Sequence, residues 1–263
     1  TDVDLTALMQ FHRDRGAMVT MCLARRPDPS GLGLVVTDDS GRVRRFLEKP
    51  GWGQVFADTV NTGIYIVDPS VLAGITTGSP VDWSRDVFPR LLADGVPIYG
   101  YITDDYWEDV GTLEAYRAVQ ADALDRRVRV DIPGHEVDPG IWFGTGVDVN
   151  PGATLTGPIV VGDHSHIGPG AVVSEYSVVG RNAIIGSQAK VERAVLLDNV
   201  YIGPSAQVRG CVIGRGSDVL DRAQVEDGSA VGEGCRLEAE SVVTAGADVY
   251  PHKTVAAGEV ITE

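Results

Sequence analysis

Residues 161–191 read VGDHSHIGPGAVVSEYSVVGRNAIIGSQAKV, and in this stretch a branched aliphatic residue returns at every sixth position. The same spacing extends over residues 149–261, with one-residue slips near 197–202 and 208–213. A repeat of this length decides the architecture of the C-terminal half, because repeat proteins stack one unit many times. The positions that fit are Val149, Leu155, Val161, Ile167, Val173, Val179, Ile185, Val191, Leu197, Ile202, Val208, Ile213, Val219, Val225, Val231, Leu237, Val243, Val249, Val255 and Ile261.

A period of six fits neither an α-helical face, which repeats about every 3.6 residues, nor a half-buried strand, which alternates. It indicates a hexapeptide β-helix, in which each unit supplies one short strand and one corner of a three-sided coil. The aliphatic residue of each unit points into the prism, and small residues let the chain turn at the corners. At roughly 18 residues per coil, residues 149–261 predict about six coils.

The repeat resembles the left-handed β-helix family, which includes acyltransferases and non-catalytic C-terminal domains of sugar-nucleotide pyrophosphorylases. In the acyltransferases a loop histidine acts as a base, and His164 and His166 are the local candidates here. Both histidines also fit an exposed corner, because no long loop interrupts the repeat beside them. His-x-His also suggests a metal site, but no third ligand is evident in the sequence.

Residues 1–128 show strands alternating with helices, which indicates an α/β sheet with a largely parallel core. Apolar spacing predicts helices over 5–12, 87–92 and 112–124, the first with Asp4 as its N-cap. Strands are predicted over 17–23, 33–36, 43–47, 61–67 and 98–102, with a hairpin turn at 38–41. The predicted organisation is therefore an α/β part over 1–128, a linker over 129–148 and a β-helix over 149–263.

Three short motifs follow one another in the α/β half. They are Phe46-Leu47-Glu48-Lys49-Pro50, Val60-Asn61-Thr62-Gly63-Ile64-Tyr65 and Tyr106-Trp107-Glu108-Asp109-Val110-Gly111-Thr112. In this order, with the prism behind them, they are similar to sugar-phosphate nucleotidyltransferases, most closely the mannose-1-phosphate guanylyltransferases and their thymidylyl- and uridylyl-transferring relatives. The resemblance covers essentially the whole chain. It implies a Rossmann-like nucleotidyltransferase sheet followed by a left-handed parallel β-helix.

The resemblance implies attack by a sugar 1-phosphate oxygen on the α-phosphate of a nucleoside triphosphate. The products are an NDP-sugar such as GDP-mannose and pyrophosphate. Because two anions meet in this reaction, the site needs cations and aligned donors more than a nucleophile. Lys49 resembles the family lysine that meets the sugar-linked phosphate, and Asp109 resembles an aspartate that holds Mg²⁺ between the phosphates.

The substrate-binding residues implied by the same resemblance surround Lys49. The Glu48 carboxylate and the Asn61 amide accept hydrogen bonds from sugar hydroxyls, and Thr62 belongs to the same motif. Gly33 resembles a glycine whose backbone approaches the sugar, where a Cβ would obstruct. Taken one at a time, these motifs also fit a strand end, a turn and a helix N-cap, so only their order favours a site.

Members of this family open with a glycine-rich loop, Gly-Gly-x-Gly-Thr-Arg-Leu, that cradles the triphosphate. No such segment occurs in residues 1–263, and the chain does not begin with methionine. These features lead us to expect a fragment of a longer enzyme, or a natural truncation, that is inactive by itself. The alternatives are a hexapeptide acyltransferase and a non-catalytic regulatory or assembly subunit related to pyrophosphorylases.

The amino-acid composition restricts the classes of partner that the protein can bind. Lys and Arg number 22 against 37 Asp and Glu, so the formal charge is −15, which argues against binding to nucleic acid or an anionic membrane. No apolar run approaches the length of a membrane helix, about 18 residues. Cys22, Cys211 and Cys235 lie far apart, which predicts no disulfide and a reducing, cytoplasmic compartment. The flat faces and terminal edge of a prism predict a homo-oligomer.

Overall fold

Helix α1, Leu5–Asp14, begins at the predicted N-cap, since the Asp4 carboxylate accepts hydrogen bonds from the backbone N–H groups of Thr6 and Ala7. The computed structural model describes residues 1–29, 31–48, 57–75, 78 and 80–262. They form two compact units, residues 1–109 and residues 110–263. None of the helices in these described residues is both long and apolar enough to span a membrane.

The first unit is built on a five-stranded sheet with the order β3-β2-β4-β1-β5. The sheet is mixed, because only β1 and β5 pair in parallel, whereas β1–β4, β2–β4 and β2–β3 pair antiparallel. Its strands are β1 Val19–Arg25, β2 Leu34–Thr37, β3 Val43–Leu47, β4 Thr59–Val67 and β5 Ile98–Thr103.

The largely parallel core expected from the alternating pattern is therefore a wrong prediction for the described residues. Parallel neighbours need a long crossover, and among the described residues between the strands, helices occur only in the connection from β4 to β5. Strands β2 and β3 form a hairpin, in which the Asp38 carboxylate accepts from the Ser40 N–H and turns the chain tightly. Strand β4 then pairs antiparallel between β2 and β1.

The helical segments between β4 and β5 cover one face of this sheet. Phe88 and Leu91 from that connection pack with Val19, Met21 and Ile98 in the larger core of the unit. The segments are α2 Pro69–Leu72, a π-helical turn Trp83–Val87 and α3 Phe88–Ala93. Asp68 and Asp82 cap the first two through backbone N–H groups two or three residues later.

The second unit begins with helix α4, Leu113–Leu124, whose N-cap Thr112 accepts from the Ala115 N–H. Strand β6, His135–Asp138, then pairs antiparallel with the first strand of a parallel β-helix. The three faces of the β-helix each contain seven parallel strands in the described residues. Face A comprises β7 Ile141–Phe143, β10 Ile159–Val161, β13 Ser177–Val179, β16 Val195–Leu196, β19 Val212–Ile213, β22 Ala230–Val231 and β25 Asp248–Val249.

The other two faces alternate with face A along the chain. Face B comprises β8 Asp148–Val149, β11 His166–Ile167, β14 Ile184–Ile185, β17 Tyr201–Ile202, β20 Asp218–Val219, β23 Arg236–Leu237 and β26 Thr254–Val255. Face C comprises β9 Thr154–Leu155, β12 Val172–Val173, β15 Lys190–Glu192, β18 Gln207–Arg209, β21 Gln224–Val225, β24 Val242–Val243 and β27 Val260–Ile261.

The β-helix has about seven turns rather than six, because its first coil lies in the segment expected to be a linker. Ile141 pairs with Ile159, and Phe143 pairs with Val161, so the coils begin at Ile141 rather than at Val149. The sequence pattern missed this coil because its inward residue, six positions before Val149, is aromatic Phe143. The left hand of the coil stays a prediction of the resemblance.

The predicted aliphatic column forms the core of the β-helix, with one correction. Most members are fully buried, and those of the terminal coils, Val149, Leu155 and Ile261, pack partly buried against the same core. Leu196, not Leu197, is the inward residue of β16, since it pairs with both Val179 and Ile213. The first slip therefore lies between Val191 and Leu196. The sequence could not show this, because Val195, Leu196 and Leu197 are all apolar and each could occupy the inward position.

A second inward column of small residues stands two positions before the aliphatic one. Ala171, Ala183, Cys211 and Ala223 are examples, and all are buried. Where this position holds serine, the hydroxyl is paired, as in the bond from Ser165 Oγ to the carbonyl oxygen of Gly180 at 2.9 Å. Small side chains are needed here because three faces converge on a narrow interior.

Candidate functional site

Three of the predicted site residues meet on one face of the sheet in the first unit. Gly33 precedes β2, Glu48 follows β3 and Asn61 lies in β4, and the Asn61 N–H donates to the Gly33 carbonyl at 2.8 Å. A Cβ on Gly33 would lie 3.0 Å from Glu48 Oε2, 3.2 Å from Phe46 Cζ and 3.5 Å from Asn61 Cβ. The missing side chain thus leaves the carboxylate and the amide room to stand next to each other.

The Asn61 side chain is held at both ends. Its Nδ2 donates to the hydroxyl of Tyr65 at 2.6 Å, and its Oδ1 accepts from the Gly63 N–H at 3.1 Å. Burial raises the pKa of the Tyr65 phenol, and the nearby Glu48 carboxylate raises it further, so the hydroxyl stays protonated. Tyr65 packs edge-on against Phe88, with ring centroids 5.0 Å apart, which anchors the amide to the core.

Strand β4 bulges where these residues lie. Leu23 of β1 pairs with Asn61, but Met21 pairs with Tyr65, so three residues of β4 (62–64) stand opposite the single residue Cys22 of β1. Gly63 has φ +79°, which a residue with a side chain rarely adopts. The buried Thr62 hydroxyl donates to the Cys22 carbonyl at 2.8 Å. Thr62 therefore fixes the shape of the bulge, and its hydroxyl is engaged inside the sheet rather than directed at a ligand.

Trp107, the second residue of the third motif, contacts the same bulge from the other face of the sheet. Its indole N–H donates to the Thr62 carbonyl at 3.1 Å, and its ring packs with Leu34 and Val60. The Arg26 guanidinium lies 5.3 Å from the centre of that ring, donates to the Trp107 carbonyl and pairs with Glu108 at 2.8 Å. These contacts fix the backbone that leads to Asp109.

Asp109 is exposed and lies two residues after Trp107, so their Cα atoms are within about 7 Å of each other. Mg²⁺ is commonly held by one or two carboxylates together with substrate phosphates. One exposed carboxylate fits that part, but the described residues contain no group of three or more His, Cys, Asp or Glu side chains that could hold a metal. Lys49 lies outside the described residues.

The two candidate histidines of the β-helix, His164 and His166, are exposed. His164 lies at a corner with φ +57°, and His166 Nδ1 is 2.9 Å from Asp148 Oδ2. No cluster able to bind a metal includes them within the part of the chain that the structure describes. His164 therefore fits the corner interpretation, whereas His166 lies in strand β11 with its side chain on the outside of face B.

Sequence reasoning missed two residues that shape the site, Tyr65 and Arg26. Tyr65 stands at the end of the second motif, four residues after Asn61, and a polar aromatic residue at that distance was an available signal. Arg26 reaches Glu108 across 82 positions of sequence, and no local pattern predicts such a contact.

Comparison with known proteins agrees with this architecture. A family model described as Nucleotidyl transferase matches residues 1–126, and one described as GMPPB C-terminal domain matches residues 155–261. A UTP–glucose-1-phosphate uridylyltransferase of Synechocystis is 35% identical over 90% of this chain and 54% of the relative. A mannose-1-phosphate guanylyltransferase of Mycobacterium tuberculosis is 36% identical over 81% of this chain and 52% of the relative.

A zebrafish (Danio rerio) mannose-1-phosphate guanylyltransferase catalytic subunit beta is 30% identical over 97% of this chain and 66% of that protein. The chain thus spans about half the length of the two bacterial relatives. With both domain types in this order, the chain belongs to the nucleotidyltransferase family and carries a nucleotidyl transferase domain followed by a GMPPB C-terminal domain.

Proposed function

We propose that this protein transfers a nucleotidyl group from a nucleoside triphosphate to a sugar 1-phosphate, giving an NDP-sugar and pyrophosphate. The observation that carries the proposal is the meeting of Gly33, Glu48 and Asn61 on one face of the sheet. A carboxylate and a fixed amide beside a glycine form a polar recess suited to the hydroxyl groups of a sugar. The relatives named for glucose 1-phosphate and mannose 1-phosphate support the same substrate class.

Each residue has one task in this proposal. Glu48 accepts hydrogen bonds from sugar hydroxyls, and Asn61, held by Tyr65, orients the ring. Lys49, the next residue after Glu48, offsets the charge of the sugar-linked phosphate. Asp109 would hold Mg²⁺, and the ion would supply positive charge to the phosphates. Positioning and charge neutralisation are what phosphoryl chemistry requires of a protein.

We further propose GDP-mannose as the product, because the C-terminal domain matches the GMPPB type and two of the relatives are guanylyltransferases. The test is pyrophosphate release by a longer form of the enzyme that contains the glycine-rich loop, with mannose 1-phosphate and GTP compared with glucose 1-phosphate and UTP. Higher kcat/KM with the mannose and GTP pair supports the assignment. Preference for the glucose pair would instead assign a uridylyltransferase.

We expect the 263-residue chain to bind a sugar 1-phosphate without turning it over, since no Gly-Gly-x-Gly-Thr-Arg-Leu loop occurs in it. Calorimetric titration with mannose 1-phosphate should show saturable binding that Glu48→Gln weakens about tenfold, the loss of about 1.4 kcal/mol. Glu192→Gln, a change on face C of the β-helix, is the matched control. Equal affinity in the Glu48 and Glu192 variants would refute the site.

A non-catalytic regulatory or assembly subunit related to pyrophosphorylases is the second candidate. It predicts no turnover together with tight binding to an intact homologous pyrophosphorylase. Acetyl-CoA turnover would instead support an acyltransferase based on His164 or His166. Co-sedimentation with a homologous enzyme and an acetyl-transfer assay separate these alternatives from the nucleotidyltransferase.

A further inference from the structure

A groove of about 600 Å³ lies wholly within the second unit, between α4 and face A of the β-helix. Leu113 and Arg117 line it from the helix, and Tyr176, Arg193 and Val195 line it from the coils. Small-molecule sites have volumes of roughly 300–1,000 Å³ and combine apolar walls with a few polar groups. The groove therefore has the size and composition of a ligand site.

The β-helix departs from its regular six-residue repeat beside this groove. The two shortened corners, between Val191 and Leu196 and between Val208 and Ile213, stack on each other there, and Arg193 projects from the first. Gly210, in the second, has φ +54°, and a Cβ on it would collide with the Asp227 carboxylate of the next coil. The corner without a side chain thus lets Asp227 lie next to the groove.

Two guanidinium groups share that single carboxylate. Arg117 Nη2 is 3.2 Å from Asp227 Oδ1, and Arg193 Nη2 is 3.8 Å from Asp227 Oδ2. The cluster carries one net positive charge in a protein of formal charge −15. Glu114 is the other acidic residue that lines the groove, and it is exposed in the first turn of α4.

Arg117 is incompletely satisfied by the protein. Its Nε is buried and has no hydrogen-bond acceptor among the described residues. A buried donor without an acceptor costs about 1–3 kcal/mol, so such groups in native proteins call for an explanation. A salt bridge that served only to attach α4 to the coils would be expected to use the Nε as well, in the two-bond geometry that arginine and a carboxylate prefer.

We propose that this groove binds a phosphate-bearing small molecule. On binding, the Arg117 guanidinium would turn toward the groove, so that its Nε and one Nη donate hydrogen bonds to a phosphate group that also pairs with Arg193. Leu113 and Val195 would contact the rest of the ligand. Asp227 keeps the two guanidinium groups together before the ligand arrives. The site is formed by the second unit alone, so it is separate from the Gly33, Glu48 and Asn61 recess and does not depend on the function proposed for it.

The test is calorimetric titration of the 263-residue chain with pyrophosphate, followed by inorganic phosphate and GDP. We expect saturable pyrophosphate binding that Arg117→Gln and Arg193→Gln each weaken at least tenfold. Asp227→Asn should tighten binding, because the amide oxygen can still accept from a guanidinium group while the negative charge that competes with the phosphate is removed. Arg222→Gln is the matched control, since Arg222 pairs with Glu240 elsewhere on the coils.

Two further measurements keep the result unambiguous. Glu48→Gln should leave pyrophosphate affinity unchanged, which separates the groove from the sugar recess. GDP binding more tightly than pyrophosphate would identify a nucleotide as the ligand, and equal binding would identify the phosphates alone. If Arg117→Gln does not fold, Arg193→Gln supplies the test, because that side chain is half exposed. Unchanged affinity in the arginine variants, or no saturable binding by the unaltered chain, overturns the proposal.

Discussion

At Gly33 the lack of one carbon atom keeps three side chains of the candidate site in place. A Cβ there would press on Glu48 Oε2 and on the ring of Phe46, at 3.0 and 3.2 Å. The carboxylate is the more movable of the two, because it ends a flexible side chain. The conflict is therefore expected to disturb the recess more than the fold.

We expect Gly33→Ala to weaken mannose 1-phosphate binding severalfold while the thermal unfolding midpoint changes little. The displaced Glu48 carboxylate would no longer stand next to Asn61. Calorimetry and thermal denaturation measure the two effects. Gly152→Ala is a suitable control, because a Cβ there meets nothing closer than 3.4 Å. Loss of stability without loss of affinity would show that Gly33 serves the fold alone.

Tyr65→Phe should destabilise the protein by about 1 kcal/mol, the usual contribution of one hydrogen bond, because Asn61 Nδ2 loses its acceptor. Sugar-phosphate affinity should fall as well, since the amide is then free to rotate. Chemical denaturation gives the first value and titration the second. Tyr250→Phe, at a highly exposed tyrosine on the β-helix, controls for the loss of a hydroxyl.

At the scale of the elements, neighbouring residues in a strand of the β-helix point in opposite directions, one into the core and one to solvent. Ile185 is fully buried in the core, whereas its neighbour Ile184 is 48% exposed on face B. We expect Ile185→Ala to cost about 2–5 kcal/mol of unfolding free energy, and Ile184→Ala less than about 1 kcal/mol. Urea denaturation monitored by circular dichroism measures both. Equal costs would mean that the coil register is wrong.

The elements also show what the sequence could and could not predict. The repeat predicted the inward column because the aliphatic residue of each unit is buried throughout the central coils. It failed at Leu197, where three apolar residues follow one another, and at Phe143, which is not aliphatic. The family resemblance implied that Gly33, Glu48 and Asn61 belong to one site, but only the fold shows that Trp107 contacts the Thr62 backbone from the other face of the sheet.

At the scale of the whole molecule, the three free cysteines allow the packing of each unit to be tested separately. Cys22 is buried in the first unit, and Cys211 and Cys235 are buried in the second. Burial raises the pKa of the Cys211 thiol to about 12, so at pH 8 this thiol stays protonated and unreactive. We expect almost no labelling by a thiol reagent in the native state and labelling of all three in denaturant. Rapid native labelling of Cys211 would contradict this packing.

Self-association is the expectation for the chain in solution. The outer faces of the β-helix carry exposed apolar side chains, among them Ile184, Tyr250 and Val260. We expect sedimentation velocity at micromolar concentration to show a dimer or larger species. Ile184→Lys should shift this equilibrium toward the monomer if face B is the contact. A single monomeric species for the unaltered chain would refute the expectation.

The two shortened corners have a consequence for how the chain finds its native pairing. Most coils carry an aliphatic residue at the same inward position, so a strand could pair one full coil away and still bury the same kind of side chain. The corners at 191–196 and 208–213 make successive equivalent positions, such as Val179 and Leu196, 17 residues apart instead of 18. A chain shifted by one coil in this region would no longer stack the two short corners on each other. The short corners thus distinguish the native strand pairing from pairings shifted by one coil, and they make it the lowest in energy although the sequence is repetitive.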